Sequence, residues 1–185
     1  MNKLPDYIEQ TRLPAPTPDA IVENGEVHFG TFDMPFKSLN LLDTVKPCGP
    51  KMPESMKASR LTEWEAFEVH MDEGALISAV YKTGPMGFSI FVWYDKKENK
   101  IYSWRNLVPK KKSRVAAQLV DDYCYLKTKH SEYKIENDFL NGKAHAKGFT
   151  KGKSGEFSID ISFDRISPLA NGVMPLGRNK DGSFR

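Results

Sequence analysis

The chain has 185 residues, with 27 Lys and Arg against 24 Asp and Glu, a formal net charge of +3, and is 39% hydrophobic, 28% charged and 11% aromatic. These values exclude a disordered, collagenous or disulfide-scaffold chain. The longest apolar runs fall short of the ~18 residues that a membrane-spanning helix needs, and so small a charge gives no argument for nucleic acid. One domain with a sizeable core is expected at this length. The opening MNKLPDYIEQ has no apolar signal region, and Cys48 and Cys124 form neither a disulfide framework nor a zinc-ligand spacing. A cytoplasmic location without a transmembrane segment is the expectation.

Residues 1–24 carry Pro5, Pro14, Pro16 and Pro18 with few large apolar residues, an extended leader. Residues 25–59 are irregular. They open on the short run Glu26-Val27-His28-Phe29-Gly30, then pass Pro35, Pro47, Pro50 and Pro53, a density that forbids a long helix and makes Leu39 to Leu42 at most a short element. From Arg60 the texture turns to alternation with a period of two, the mark of strands. Thr62 to Met71 reads as one strand, with Phe67, Val69 and Met71 on one face and Trp64, Ala66, Glu68 and His70 on the other. Ala75 to Thr83, Gly87 to Tyr94 and Ile101 to Val108 follow, joined by short polar turns, and make an antiparallel meander. The cluster Pro109-Lys110-Lys111-Lys112-Ser113-Arg114 reads either as a phosphate-binding or targeting patch or as a solvated loop. Ser113 to Val120 has room for a turn or two of helix.

Four more strands are predicted, at Leu119 to Lys129, Tyr133 to Asn137, Lys143 to Thr150 and Glu156 to Arg165, with Asn141-Gly142 as a hairpin turn. About eight strands with little helix imply a sandwich or an up-and-down barrel over residues 60–168. The later strands alternate charge with apolar residues, as one wetted face requires. Two early strands do not. Leu76 and Val80 oppose Ile77, Ala79 and Tyr81, and Phe88, Ile90 and Val92 oppose Phe91 and Trp93. A sheet apolar on both faces needs cover on both. A second domain, a partner chain or the Pro-rich stretch 31–58 are the candidates for the outer cover.

Several blocks also carry a family pattern: Gly30-Thr31-Phe32-Asp33-Met34-Pro35-Phe36-Lys37-Ser38-Leu39-Asn40-Leu41-Leu42-Asp43, Arg60-Leu61-Thr62-Glu63-Trp64-Glu65-Ala66-Phe67, Phe91-Val92-Trp93-Tyr94-Asp95, and Ser167-Pro168-Leu169 followed by Met174-Pro175-Leu176-Gly177-Arg178-Asn179. Together they resemble the first half of an uncharacterised bacterial and fungal domain family. That family is similar to the carotenoid hydratase and tocopherol cyclase group, which has two lipocalin-like barrels in tandem. The resemblance spans most of residues 25–185 and implies an all-β, lipocalin-like up-and-down barrel as the first of two. Residues 169–185 would then be a linker toward a missing second barrel, and the chain a fragment. It also implies a hydrophobic or lipid-like small molecule bound in a barrel cavity or between two barrels. Hydratase or cyclase chemistry on an isoprenoid-like substrate is the alternative.

The residues themselves name few chemical groups. His28, His70, His130 and His145 fall in no metal-binding spacing, and no G-x-S-x-G, P-loop or G-x-G-x-x-G is present. No metal or cofactor is expected, and Cys124 reads as a buried, inert thiol. The period of two puts Glu68 and His70 beside Trp64. A carboxyl next to aromatic rings in an apolar cavity keeps its proton and can pass it to an alkene or enol. On a wetted face the same pair is merely solvated. Trp64, Tyr81, Phe91, Trp93 and Trp104 are the candidate lining of a ligand cavity.

Overall fold

The computed structural model of the chain describes residues 13–45, 53–118 and 120–175. Cys48, Leu119, the Pro-rich stretch 46–52 and the family pattern beyond Pro175 lie outside the described residues. The chain divides into two compact units, Met1–Gly49 with Ser167–Arg185, and Pro50–Ile166.

In the first unit, β1 (Val22–Glu23) and β2 (Glu26–Val27) form a tight hairpin. Asn24 and Gly25 hold its turn with φ of 52° and 80°, the left-handed pair that a two-residue hairpin demands. β3 (Gly30–Phe32) pairs antiparallel with the strand Asn171–Val173. Residues just past 169, expected to lead toward a further barrel, thus contribute a strand here. Ile21, Val22, Phe32 and Phe36 form the small core, against which Val27, Leu39 and Val173 pack. The Asn40 side chain accepts from the Val22 N–H at 3.1 Å and donates to the Val22 carbonyl at 3.0 Å. That pairing satisfies a backbone segment too short to build a sheet of its own.

The second unit opens with α1 (Glu54–Arg60), two turns begun after Pro53 and ended by the extended Leu61. The four-stranded meander follows: β4 (Thr62–His70), β5 (Gly74–Thr83), β6 (Met86–Asp95) and β7 (Lys100–Pro109), each antiparallel to the next. Lys110–Lys112 make one 3-10 turn. Ser113–Arg114, where a helical turn had room, is extended instead as β8 and pairs with Leu126 and Tyr125 of β9 (Asp122–Lys127). β10 (Ser131–Asp138), β11 (Lys143–Gly152) and β12 (Gly155–Asp164) complete a five-stranded antiparallel sheet in the order β12-β11-β10-β9-β8. The hairpin expected at Asn141-Gly142 is present, with Gly142 at φ 71°.

The two sheets pack face to face over one core. Leu76, Val80, Phe91, Trp104 and Val108 from the meander meet Cys124, Leu126, Tyr133, Ile135, Ala146 and Ile159 from the second sheet. β12 begins against β7, where Trp104 Nε1 donates to the Gly155 carbonyl at 3.1 Å and the Trp104 and Phe157 rings stack at 4.9 Å. It ends against β4, where Phe67 and Phe163 meet edge to face at 5.0 Å. β12 therefore runs across the four strands, as in near-orthogonal sheet packing. The all-β, antiparallel expectation holds. Among the described residues no ladder joins the two sheets, so a closed barrel is not found. β8, the strand after the crossing, is two residues long and reaches only β9.

Candidate functional site

Strand alternation decides which side chains of the meander face the second sheet and which face away. On β4, Glu63, Glu65, Phe67 and Val69 turn inward and are half-buried, while Trp64, Ala66, Glu68 and His70 turn outward and are exposed. Register carries that division across the sheet: Trp64 lies opposite Tyr81, Tyr81 opposite Phe88, and Phe88 opposite Leu107. The rings are stacked, Trp64 on Tyr81 at 6.1 Å and 21°, Tyr81 on Phe88 at 4.7 Å and 7°. Trp64 remains 59% exposed, Leu107 66% and Ile101 68%. Ile77 and Tyr94 on the same face are exposed too. An apolar row of this size open to water is unusual and makes this face a candidate contact surface.

The five aromatics proposed for one cavity divide between two faces. Trp64 and Tyr81 stack in the outward row. Phe91, Trp93 and Trp104 point into the core, where Phe91 packs on Tyr133 at 4.6 Å and Trp104 on Phe157. No single cavity has all five as its wall. Phe88 and Leu107 belong with the outward pair and were not singled out by sequence reasoning; only the pairing register reveals them. Glu68 and His70 are brought together, Oε1 to Nε2 at 2.7 Å, with side chains 53% and 71% exposed. The pair stands on the exposed outward face and not in an apolar cavity.

The carboxyl with the surroundings sought for a donor is its neighbour Glu65. Cys124 Sγ donates to its Oε2 at 2.9 Å, and Asn137 Nδ2 reaches Oε1 and Oε2 at 3.1 and 3.0 Å. Burial pushes the Glu65 carboxyl above its ordinary value; the Cys124 and Asn137 hydrogen bonds pull it back, and the charge of Asp122 adds to the rise. Burial together with the Glu65 charge pushes the Cys124 thiol up, so the thiol stays protonated and inert. Nearby, Tyr133 Oη and Ser78 Oγ share a buried hydrogen bond of 2.6 Å, and burial lifts the phenol as well. The signal for Glu65 was a charged residue in phase with Phe67 and Val69.

The outer face of the five-stranded sheet is different. An open depression of about 590 Å³ there is lined by Glu132, Lys134, Glu136, His145, Lys147 and Asp160 among others. Ion pairs tie these together, Lys147 to Asp160 at 2.6 Å, His145 to Asp160 at 2.7 Å and Lys127 to Glu132 at 2.8 Å. This is the wetted wall predicted for the later strands. Among the described residues no group of three or more His, Cys, Asp or Glu is placed to hold a metal ion, and no helix is long and apolar enough to cross a membrane. Comparison with family models, with curated proteins and with solved structures found no match to this chain.

Proposed function

We propose that the protein is a binding module for a hydrophobic or lipid-like small molecule, held against the outward aromatic row of the meander. One observation carries the reading: Trp64, Tyr81 and Phe88 are stacked in register and continued by Leu107, yet the ends of the row are open to water. Rings stacked face to face across neighbouring strands make an apolar ridge, with the open Trp64 at its β4 end, against which an elongated or planar apolar molecule gains contact. The resemblance to the lipocalin-like carotenoid hydratase and tocopherol cyclase group supports the same ligand class. In this reading the two sheets are a flattened relative of that barrel, and the ligand lies outside the packed interior. A second β-domain or partner chain would form the opposite wall. Titration with a fluorescent polyene fatty acid, parinaric acid, tests it. Saturable binding that quenches tryptophan emission is expected, and Trp64→Ala should weaken it about tenfold, or roughly 1.4 kcal/mol. Equal binding by wild type and Trp64→Ala would overturn the reading.

A second reading, hydratase or cyclase-type general acid catalysis, is favoured by Glu65, whose carboxyl burial holds in its acid form to higher pH than usual. Glu65→Gln keeps the shape and removes the transferable proton. Glu65 faces the interior, on the other side of β4 from the aromatic row, so under this reading the substrate enters between the sheets and the variant abolishes turnover of an isoprenoid alkene.

A further inference from the structure

The outward face of the meander has a second property, which concerns its shape and charge rather than its apolarity. In the rows through Ala66 and Ala75, small side chains on β4 or β5 stand beside large ones on β6 and β7, whereas the row of Trp64 and Tyr81 is large throughout and Ser103 on β7 ends the row of Glu68 and Ile77. Ala66 and Ala79 share a row with Ile90 and Arg105, and Ala75 shares one with Tyr94. The charged residues follow the same division: Glu68 stands on β4 and Arg105 on β7. We infer that this face is built to pair with a second copy of the chain about a two-fold axis parallel to the strands, between β5 and β6.

That axis lays β4 over the partner's β7 and β5 over the partner's β6, row upon row. Two alanines then meet a large residue, Ala66 facing Arg105 and Ala75 facing Tyr94, while Ala79 is already buried within the chain; each contact occurs twice, as an isologous interface requires. The aromatic row meets itself, Tyr81 over Phe88 and Trp64 over Leu107. Arg105, which carries no ion pair among the described residues, arrives over Ala66, one row from Glu68 on the same strand. An uncompensated charge on an apolar face thereby gains an opposite charge on each side of the axis. Four strands of up to 10 residues span roughly 600 Å² in projection. Side-chain relief brings that near the ~800 Å² each partner of a standard interface contributes.

This inference goes beyond small-molecule binding and touches it at one point, since the dimer covers the row proposed to hold the ligand. Sedimentation equilibrium of the full chain tests it. A reversible dimer in the micromolar range is expected. Glu68→Arg and Arg105→Glu should each weaken it roughly tenfold or more by setting like charges together, and the double reversal should restore it. All these positions are exposed strand residues; Leu107→Lys gives the same reading should either reversal disturb the fold. A chain that stays monomeric at about 100 μM overturns the dimer, as does a dimer indifferent to both reversals and to Leu107→Lys. Parinaric acid separates the two proposals. A monomer that binds it retains the ligand reading and loses the dimer; a dimer that forms but neither binds it nor dissociates with it does the reverse.

Discussion

Glu65 enters the interior because β4 alternates, and alternation puts position 65 in phase with Phe67 and Val69. Three consequences attach to single residues. A carboxyl whose value is raised in the fold favours the folded state fully below its ordinary value of 4.5. That advantage is lost as pH rises through the raised value, where ionisation inside the fold carries a penalty. Wild type should therefore lose thermal stability relative to Glu65→Gln as pH rises above 4.5, with the two nearly equal at the acid end after allowing for one altered hydrogen bond. Melting temperatures across that range check it; a difference that shrinks with pH contradicts the cause given. Asp122 works in the opposite sense: hydrogen bonds from the Tyr123 N–H, Arg114 and the Ala117 N–H outweigh burial and hold it below its usual range. Its proton is lost below that range, and its charge enters the comparison only through the rise it gives Glu65. Glu68, by contrast, illustrates what one sequence leaves open, because its neighbours on β4 are visible in the sequence and its exposure is not.

At the scale of elements, the long strands were legible because most of them keep a period of two over six or more residues and most end on Gly, Asn or Asp turns. The doubly apolar character of β5 and β6 was equally plain, and it marks the one outer face that stays apolar. The pairing of the two sheets was not legible, since nothing local tells a strand whether its last neighbour is across a ladder or across a core. The two-residue β8 illustrates the difficulty. Its Ser113 sits so close over β6 that a Cβ on Gly87 would come within 1.9 Å of Ser113 Oγ. No period can be read from two residues. Close approach also fixes Gly148 on β11, where a Cβ would lie 2.5 Å from the Glu132 carbonyl and 2.8 Å from the Tyr133 ring. Gly148→Ala should destabilise the fold by about 1–3 kcal/mol as the β10–β11 pair is forced apart. Urea denaturation with an unchanged slope measures it, and a neutral result would show that the strands give way freely.

For the whole molecule, the two units keep separate cores. Every residue of the larger cluster, including its half-buried fringe, lies between Phe67 and Phe163. Every residue of the smaller cluster lies in Ile21 to Leu39 or at Val173. A segment that owns its core folds without the other. Residues 50–166 expressed alone should give a β-type circular dichroism spectrum and a single cooperative melt; a molten spectrum would show that the smaller unit contributes to the larger core. The sequence division at 24, 59 and 168 saw the onset of the strands near Arg60 but read 171–173 as onward linker. Three residues pairing with a strand more than a hundred positions earlier leave no local signature.

The central claim is that function resides on the outward aromatic row and not between the sheets. Methyl and indole NMR spectra of the full chain, recorded while parinaric acid is added, test it most directly. Movement of the Trp64 indole and the Ile77, Ile101 and Leu107 methyl signals, with Leu76, Val80, Leu126 and Ile135 still, is the predicted result. Movement of the interior set with the outer face unchanged would contradict it.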